Sequence, residues 1–250
     1  MTAAHFAMQP KGGVGKSWVA TMIAQYLKEK GIPYRAVDLE ASNAACTLSG
    51  FKGVEAERLE VMEDSAVNPR RFDVLIEQRI AVFPETFVVD IGTSLVVPFS
   101  HYMYENQGFN LVTEAGKELF LHIPLMGGGE AYDCLMGYVS ILEKYPIANI
   151  VVWLGRRDGE VTFDSQPFEL TKAYADTKKR VRAIIRTPRL DQQRAPTFRV
   201  DLTQMIQRLE TFAEALAPDR DPPLPLMERQ RLTLIRRELW AQMDAAKVFG

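Results

Sequence analysis

The chain has 250 residues, 47% hydrophobic and 25% charged, with 30 Lys and Arg against 32 Asp and Glu. That is ordinary for a soluble globular protein of one α/β domain, or one domain with an appendage, and its core needs no staples. A net charge of −2 excludes a global field that recruits nucleic acid or acidic lipid, so any such contact must be local. Cys46 and Cys134 are too few for a disulfide framework, and His5, His101 and His122 are too scattered for a metal centre. The first residues show no basic-then-apolar signal segment, and no apolar run nears the ~18 residues of a spanning helix. A reduced cytoplasmic setting is expected.

The first predicted strand is Ala4–Gln9, and a helical pattern runs over Ser17–Lys30. Between them lies Gln9-Pro10-Lys11-Gly12-Gly13-Val14-Gly15-Lys16-Ser17. Glycines at 12, 13 and 15 let backbone N–H groups converge on an anion, and the following helix adds the positive end of its dipole. Lys16 can reach the β- and γ-phosphates of a nucleotide, and the Ser17 hydroxyl can ligate Mg²⁺. Contacts to a nucleotide are expected from Lys11, Gly12, Gly13, Val14, Gly15, Lys16, Ser17 and Trp18. The pattern G-x-x-x-x-G-K-[ST] places its first glycine at position 10, where this chain has Pro10; the narrower pattern K-G-G-x-G-K-S fits, with Lys11 as a second lysine.

The second strand, Tyr34–Leu39, empties into Asp38 and Glu40, acids placed to serve Mg²⁺ and water. A helix follows at Pro69–Gln78. The strand Thr86–Ile91 is a continuous apolar run that exposes one carboxylate, Asp90, at its tip, with Gly92 next. That pattern matches the metal-side carboxylate of phosphate-loop enzymes, and the Gly92 amide can sense a γ-phosphate. Further strands are expected at Phe109–Val112, Leu119–Pro124, Asn149–Leu154 and Val181–Arg186, and further helices at Glu130–Lys144, Pro167–Tyr174 and Asp201–Leu216. Alternation of this kind predicts an α/β fold: a doubly wound, mainly parallel sheet with helices on both faces and ligands at the carboxyl ends of the strands.

From Lys172 to Arg199 there are nine Lys and Arg against two acids, centred on Lys178, Lys179, Arg180 and Arg182. These are candidate contacts to non-specific DNA. The competing reading is a solvated face beside an edge strand, which the scarcity of interleaved aromatics favours. Residues 1–216 read as the nucleotide-binding domain, 217–225 as a stiff Pro-rich linker, and 226–250 as an amphipathic helix. Leu232, Ile235, Leu239, Met243 and Ala246 share one helical face, with Trp240 beside it. Five Lys and Arg against three acids from Glu228 to Lys247 make a weakly basic polar face. Packing on the chain's own domain or on a dimer partner is therefore expected over a membrane surface or another protein.

The loop with its two lysines resembles that of the ParA/MinD superfamily of phosphate-loop ATPases. That resemblance implies ATP as substrate, Mg²⁺ as cofactor, and a homodimer with nucleotide at the interface, across which Lys11 reaches. It gives Lys11, Lys16, Asp38 and Glu40 catalytic roles, and Ser17, Asp38 and Asp90 the metal. The family has Asp-x-Asp-Pro where this chain has Asp38-Leu39-Glu40-Ala41, so hydrolysis is expected to be slow without a partner. It often has an Asn to read the base where this chain has Gly155, which leaves the backbone or Arg156 for that task. Within the superfamily, Asp90-Ile91-Gly92-Thr93-Ser94, Pro98 and His101-Tyr102-Met103-Tyr104-Glu105-Asn106 resemble the TraL/StbB branch of plasmid conjugation and stability proteins. So do Gly127-Gly128-Gly129-Glu130, Gly137-Tyr138, Gly159-Glu160 and Ser42-Asn43-Ala44. Ile91 stands where that branch has Asn. The branch implies a plasmid-encoded transfer or stability protein as partner, and attachment to the nucleoid or a membrane as a further localisation.

Overall fold

The structure is a computed structural model that describes residues 2–39, 47–190 and 196–249. In chain order the elements are β1 (Ala3–Ala7), α1 (Lys16–Glu29), β2 (Tyr34–Leu39), β3 (Glu57–Arg58), β4 (Met62–Glu63), β5 (Ala66–Val67), α2 (Arg70–Leu75), β6 (Thr86–Ile91), α3 (Thr93–Glu105), α4 (Gly108–Glu114), β7 (Glu118–Met126), α5 (Ala131–Lys144), β8 (Asn149–Gly155), β9 (Thr162–Phe163), β10 (Gln166–Pro167), α6 (Lys172–Thr177), β11 (Val181–Arg186), α7 (Pro196–Gln207), α8 (Phe212–Ala215) and α9 (Leu226–Ala246). Seven strands form one sheet in the order β11-β8-β7-β1-β6-β2-β3, and every pairing in it is parallel. β4–β5 and β9–β10 are small antiparallel hairpins.

The central strands are continuous apolar runs because helices cover both faces. One core holds Val37, Leu39, Val89 and Ile91 with residues of α2 to α6. The other holds Ala36, Val88, Val151 and Trp153 with α1, α7, α8 and α9. Strand order reverses about β1: the chain passes to β2 and β6 on one side, then to β7 and β8 on the other. The crevice beyond the carboxyl end of β1 is the switch point where such sheets bind ligands.

Several predicted elements are corrected. Phe109–Val112 is not a strand but part of α4. Phe109 and Val112 are buried and Leu111 is exposed, a spacing of three that a four-residue run cannot distinguish from strand alternation. Residues 93–105, given no element from the sequence, form α3. The helix expected at Pro167–Tyr174 begins later, at Lys172, where the Thr171 hydroxyl caps it. Asp201–Leu216 is divided: Leu209 adopts φ 56°, and Thr211 with Glu214 builds a capping box that starts α8 anew.

The C-terminal helix packs on its own chain. Leu232, Ile235, Leu239, Trp240 and Met243 are all buried in the second core. The Gln242 side chain accepts from Arg186 N at 2.8 Å and donates to Arg186 O at 2.7 Å, so α9 takes up the free backbone groups at the end of edge strand β11. The apolar stripe is thereby consumed and does not face a membrane. Among the described residues, no helix is long and apolar enough to cross one.

Candidate functional site

β1 ends at Ala7 and α1 begins at Lys16, so residues 8–15 form a loop over the crevice. Gly13 has φ 74° and Gly15 has φ 93°, the left-handed region where a Cβ is strained. Val14 between them is 5% exposed and anchors the loop in the core. Gln9 is fully buried and its amide donates to Pro124 O at 3.2 Å and to Cys134 O at 3.1 Å, tying the loop to β7 and α5. Gly137 permits that approach: a Cβ there would lie 2.0 Å from Gln9 Oε1 and 3.1 Å from Pro10 Cδ.

Lys16 is 5% exposed, and its ammonium donates to Thr93 Oγ1 at 2.8 Å and to Lys11 O at 3.2 Å. Thr93 opens α3, so the lysine spans two helix N-termini. Lys11 turns the other way. Its Nζ lies 2.5 Å from Glu130 Oε2 and 3.0 Å from Asp133 Oδ2, and hydrogen bonds to these acids hold its pKa well above the usual lysine range.

Asp38 and Asp90 face each other in register on neighbouring strands β2 and β6, and both are buried. Their side chains share the sheet face of Ala36 and Val88, the face that α1 covers. Ser49 donates to Asp38 Oδ2 twice, from its backbone N–H at 2.8 Å and its hydroxyl at 2.5 Å. Asp38 Oδ1 is buried and has no hydrogen-bond partner. An oriented, unsatisfied carboxylate oxygen with a second buried carboxylate in register on the next strand suits Mg²⁺, a hard cation that takes few protein oxygens and keeps several waters. Among the described residues, no group of three or more His, Cys, Asp or Glu could hold a metal ion. Gly92 is corrected: the N–H expected to sense a γ-phosphate is instead donated to Leu39 O at 2.7 Å, and the residue leads into α3. Glu40 and the segment Ser42-Asn43-Ala44 lie outside the described residues.

The loop opens into a cavity of about 450 Å³. Beyond Gly13 to Trp18, its walls include Met126, Trp153 and Gly155 at the ends of β7 and β8, Thr187 and Pro188 after β11, and Leu202 and Ile206 of α7. Arg156 does not line it. Its side chain donates to Thr187 O at 2.7 Å and lies 3.2 Å from Glu238 of α9, so it is a strut and not a reader of a base.

The matching family model is that of the CobQ/CobB/MinD/ParA nucleotide binding domain, over residues 6–234. The chain belongs to this CobQ/CobB/MinD/ParA family. Two Escherichia coli proteins named Protein TraL are 39% and 38% identical to this member over 249 residues, 99% of this chain and 100% of each of them. The MinD cell division protein of Aquifex aeolicus shares the fold at a TM-score of 0.52 and 14% identity, over 96% of this chain and 97% of that one.

Of the predicted DNA contacts, Lys178, Lys179 and Arg182 are exposed, and Arg182 Nε donates to Asn149 Oδ1 at 2.7 Å. Arg180 is corrected. Its guanidinium donates to Leu142 O at 2.9 Å, to Ala148 O at 3.3 Å and to Tyr145 O, closing the end of α5. Thr93, Ser49 and Gln9 were missed from sequence. A hydroxyl three residues past a strand-end Asp was the available signal for Thr93; Ser49 carried none.

Proposed function

We propose that the chain is an ATP-binding, weakly hydrolysing switch that closes into a homodimer over its nucleotide, and that it serves plasmid transfer or stability. The observation that carries this is the phosphate cradle: two glycines at positive φ and a buried Lys16 bridging the starts of α1 and α3 at the mouth of a nucleotide-sized cavity. Polyphosphate oxygens would accept from the loop N–H groups and from Lys16, which exchanges Thr93 for phosphate. Ser17 and Asp38, with Asp90 acting through water, would hold Mg²⁺, which when bound neutralises charge on the phosphates. Thr93, held by Lys16 at the start of α3, would pass the presence of a γ-phosphate to that helix. The relatives named TraL support a plasmid-related role. The partner is then a plasmid-encoded transfer or stability protein, with Lys178, Lys179 and Arg182 as the surface offered to non-specific DNA.

Calorimetric titration with Mg-ATP, and mass measured by light scattering in saturating Mg-ATP for wild type and Lys11→Ala, test the proposal. Binding and a nucleotide-dependent dimer that Lys11→Ala abolishes are expected; a wild type that stays monomeric refutes the switch. One observation favours a second reading, a nucleotide-binding scaffold that does not turn over. Ile91, where the branch has Asn, is fully buried in the first core and offers nothing to a nucleotide. Phosphate release that is lost in Lys16→Ala rejects the scaffold.

A further inference from the structure

Away from the cradle, the cavity offers no base reader at the positions the sequence suggested. Gly155 has no side chain, and Met126 Sδ fills the space beside it, 2.1 Å from where a Cβ would stand. Arg156 is committed to Thr187 and Glu238. The polar side chains that line this part of the wall are Arg157, Thr187, Arg199, Thr203 and Gln207. Thr187 Oγ1 accepts from Arg156 N at 2.8 Å, and both arginines are engaged, Arg199 donating to Arg157 O at 3.5 Å. Thr203 and Gln207 remain, both with exposed side chains. Of the two, only Gln207 carries a donor and an acceptor side by side.

Both residues belong to α7, whose rotation is fixed from behind. Its cavity-lining residues, Arg199, Leu202, Thr203, Ile206 and Gln207, fall at steps of three, one, three and one, a single helical face. The opposite face is clamped to α9. Buried Asp201 pairs with Arg231, and Arg208, just past the end of α7, lies 3.1 Å from Glu228. Met205, between them, is fully buried in the second core. The clamped helix therefore presents apolar Leu202 and Ile206 for the face of a flat ring, and a polar stripe beside them for its edge.

We propose that Gln207 reads the edge of the base. Its amide oxygen accepts from an exocyclic amine and its NH₂ donates to the neighbouring ring nitrogen, the pairing that adenine offers through N6 and N7. The ligand class is an adenine nucleoside phosphate recognised at both ends, not a polyphosphate held by its tail alone. This rests on the phosphate-loop assignment above.

Calorimetric titration of Mg-ATP, Mg-GTP and Mg-tripolyphosphate into wild type, Gln207→Ala and Gln207→Glu separates the two readings, with thermal melts to verify folding. Wild type is expected to bind ATP more tightly than GTP. Gln207→Ala is expected to weaken ATP by about 5- to 100-fold, the worth of one bidentate base contact, and to erase the preference over GTP. Tripolyphosphate, which has no base, should bind as before. Gln207→Glu keeps the shape and turns the donor into a second acceptor facing N7, so it should weaken ATP too. Gln207→Ala that binds ATP as tightly as wild type overturns the role of Gln207 and leaves the cradle standing, as does equal weakening of ATP and tripolyphosphate. Wild type that binds neither ATP nor tripolyphosphate overturns the phosphate-loop assignment itself.

Discussion

The two ends of the cleft are built differently. The loop end, read above as the phosphate cradle, comes from one run of ten residues, Gln9 to Trp18, which follows β1 and meets Thr93 just past β6. Its working groups are mostly backbone N–H, shaped by Gly13 and Gly15. The far end of the cavity is assembled from side chains far apart in the chain: Trp18, Met126, Trp153, Thr187, Leu202 and Ile206. A site made of backbone needs a local conformation, and glycine spacing announces it. A site made of side chains needs a tertiary arrangement, and no short pattern encodes it.

The largest expected effect lies at the phosphate end. Lys16→Ala removes the one buried ammonium of the cradle and is expected to weaken Mg-ATP and Mg-tripolyphosphate alike. A hydrogen-bonded charge contributes ~1.5–3 kcal/mol, so the loss is about 10- to 100-fold in each titration. Equal losses separate the two ends cleanly; a loss confined to ATP would show that the lysine serves the nucleoside instead.

The next effect comes from behind Trp153, on the cavity wall. Trp153 donates to His122 Nδ1, so a neutral His122 carries its proton on Nε2 and donates to His5 Nδ1, 2.9 Å away. Burial against Phe120 and Phe249 lowers the His5 pKa to about 3, and burial lowers that of His122 as well. Both groups bind protons more readily once unfolded. Stability from their neutral forms is full above the ordinary value of 6.5 and drains away as pH falls from there toward 3. Chemical denaturation followed from pH 7 to pH 4 is expected to show that decline, and His5→Leu/His122→Leu to flatten it. An unchanged slope in the double variant would assign the decline to other groups.

A smaller effect tests the cradle's backbone. Gly15→Ala puts a Cβ on a residue at φ 93°. The left-handed region costs an L-residue ~1–2 kcal/mol, so the melting temperature is expected to drop by about 2–8 °C. Tripolyphosphate affinity should fall with it.

How much was legible follows the same division. The parallel sheet showed in Phe87-Val88-Val89 and Ile150-Val151-Val152-Trp153, apolar runs too uniform for a half-exposed strand. Glycine spacing and strand ends picked out Lys16, Ser17, Asp38 and Asp90, of which the structure buries Lys16 and sets the two acids in register. The stripe through Leu232, Ile235, Leu239 and Met243 gave a helix but left its dock open, because an apolar face does not name what covers it. Phe109–Val112 misled because four residues hold neither period. Ser49 was invisible: its only distinction is to lie over Asp38 after a connection no motif describes. Arg180 looked like surface charge because sequence shows its charge and not the three carbonyls it closes.

The smallest expected effect concerns the residue that two copies would share. The resemblance sends Lys11 across a dimer interface, yet in the single chain it lies on Glu130 and Asp133. All three side chains are substantially exposed, and exposed ion pairs are weak and screened by salt. The tether therefore competes with dimer closure only mildly. Glu130→Ala/Asp133→Ala should leave the melting temperature almost unchanged and raise the fraction of dimer in saturating Mg-ATP by no more than a few-fold, with the gain shrinking as salt is added. If the acids instead belong to the closed interface, the same variant will lower the dimer fraction. The sign of that shift, read by sedimentation at two salt concentrations, decides whether Glu130 and Asp133 hold Lys11 back or receive it.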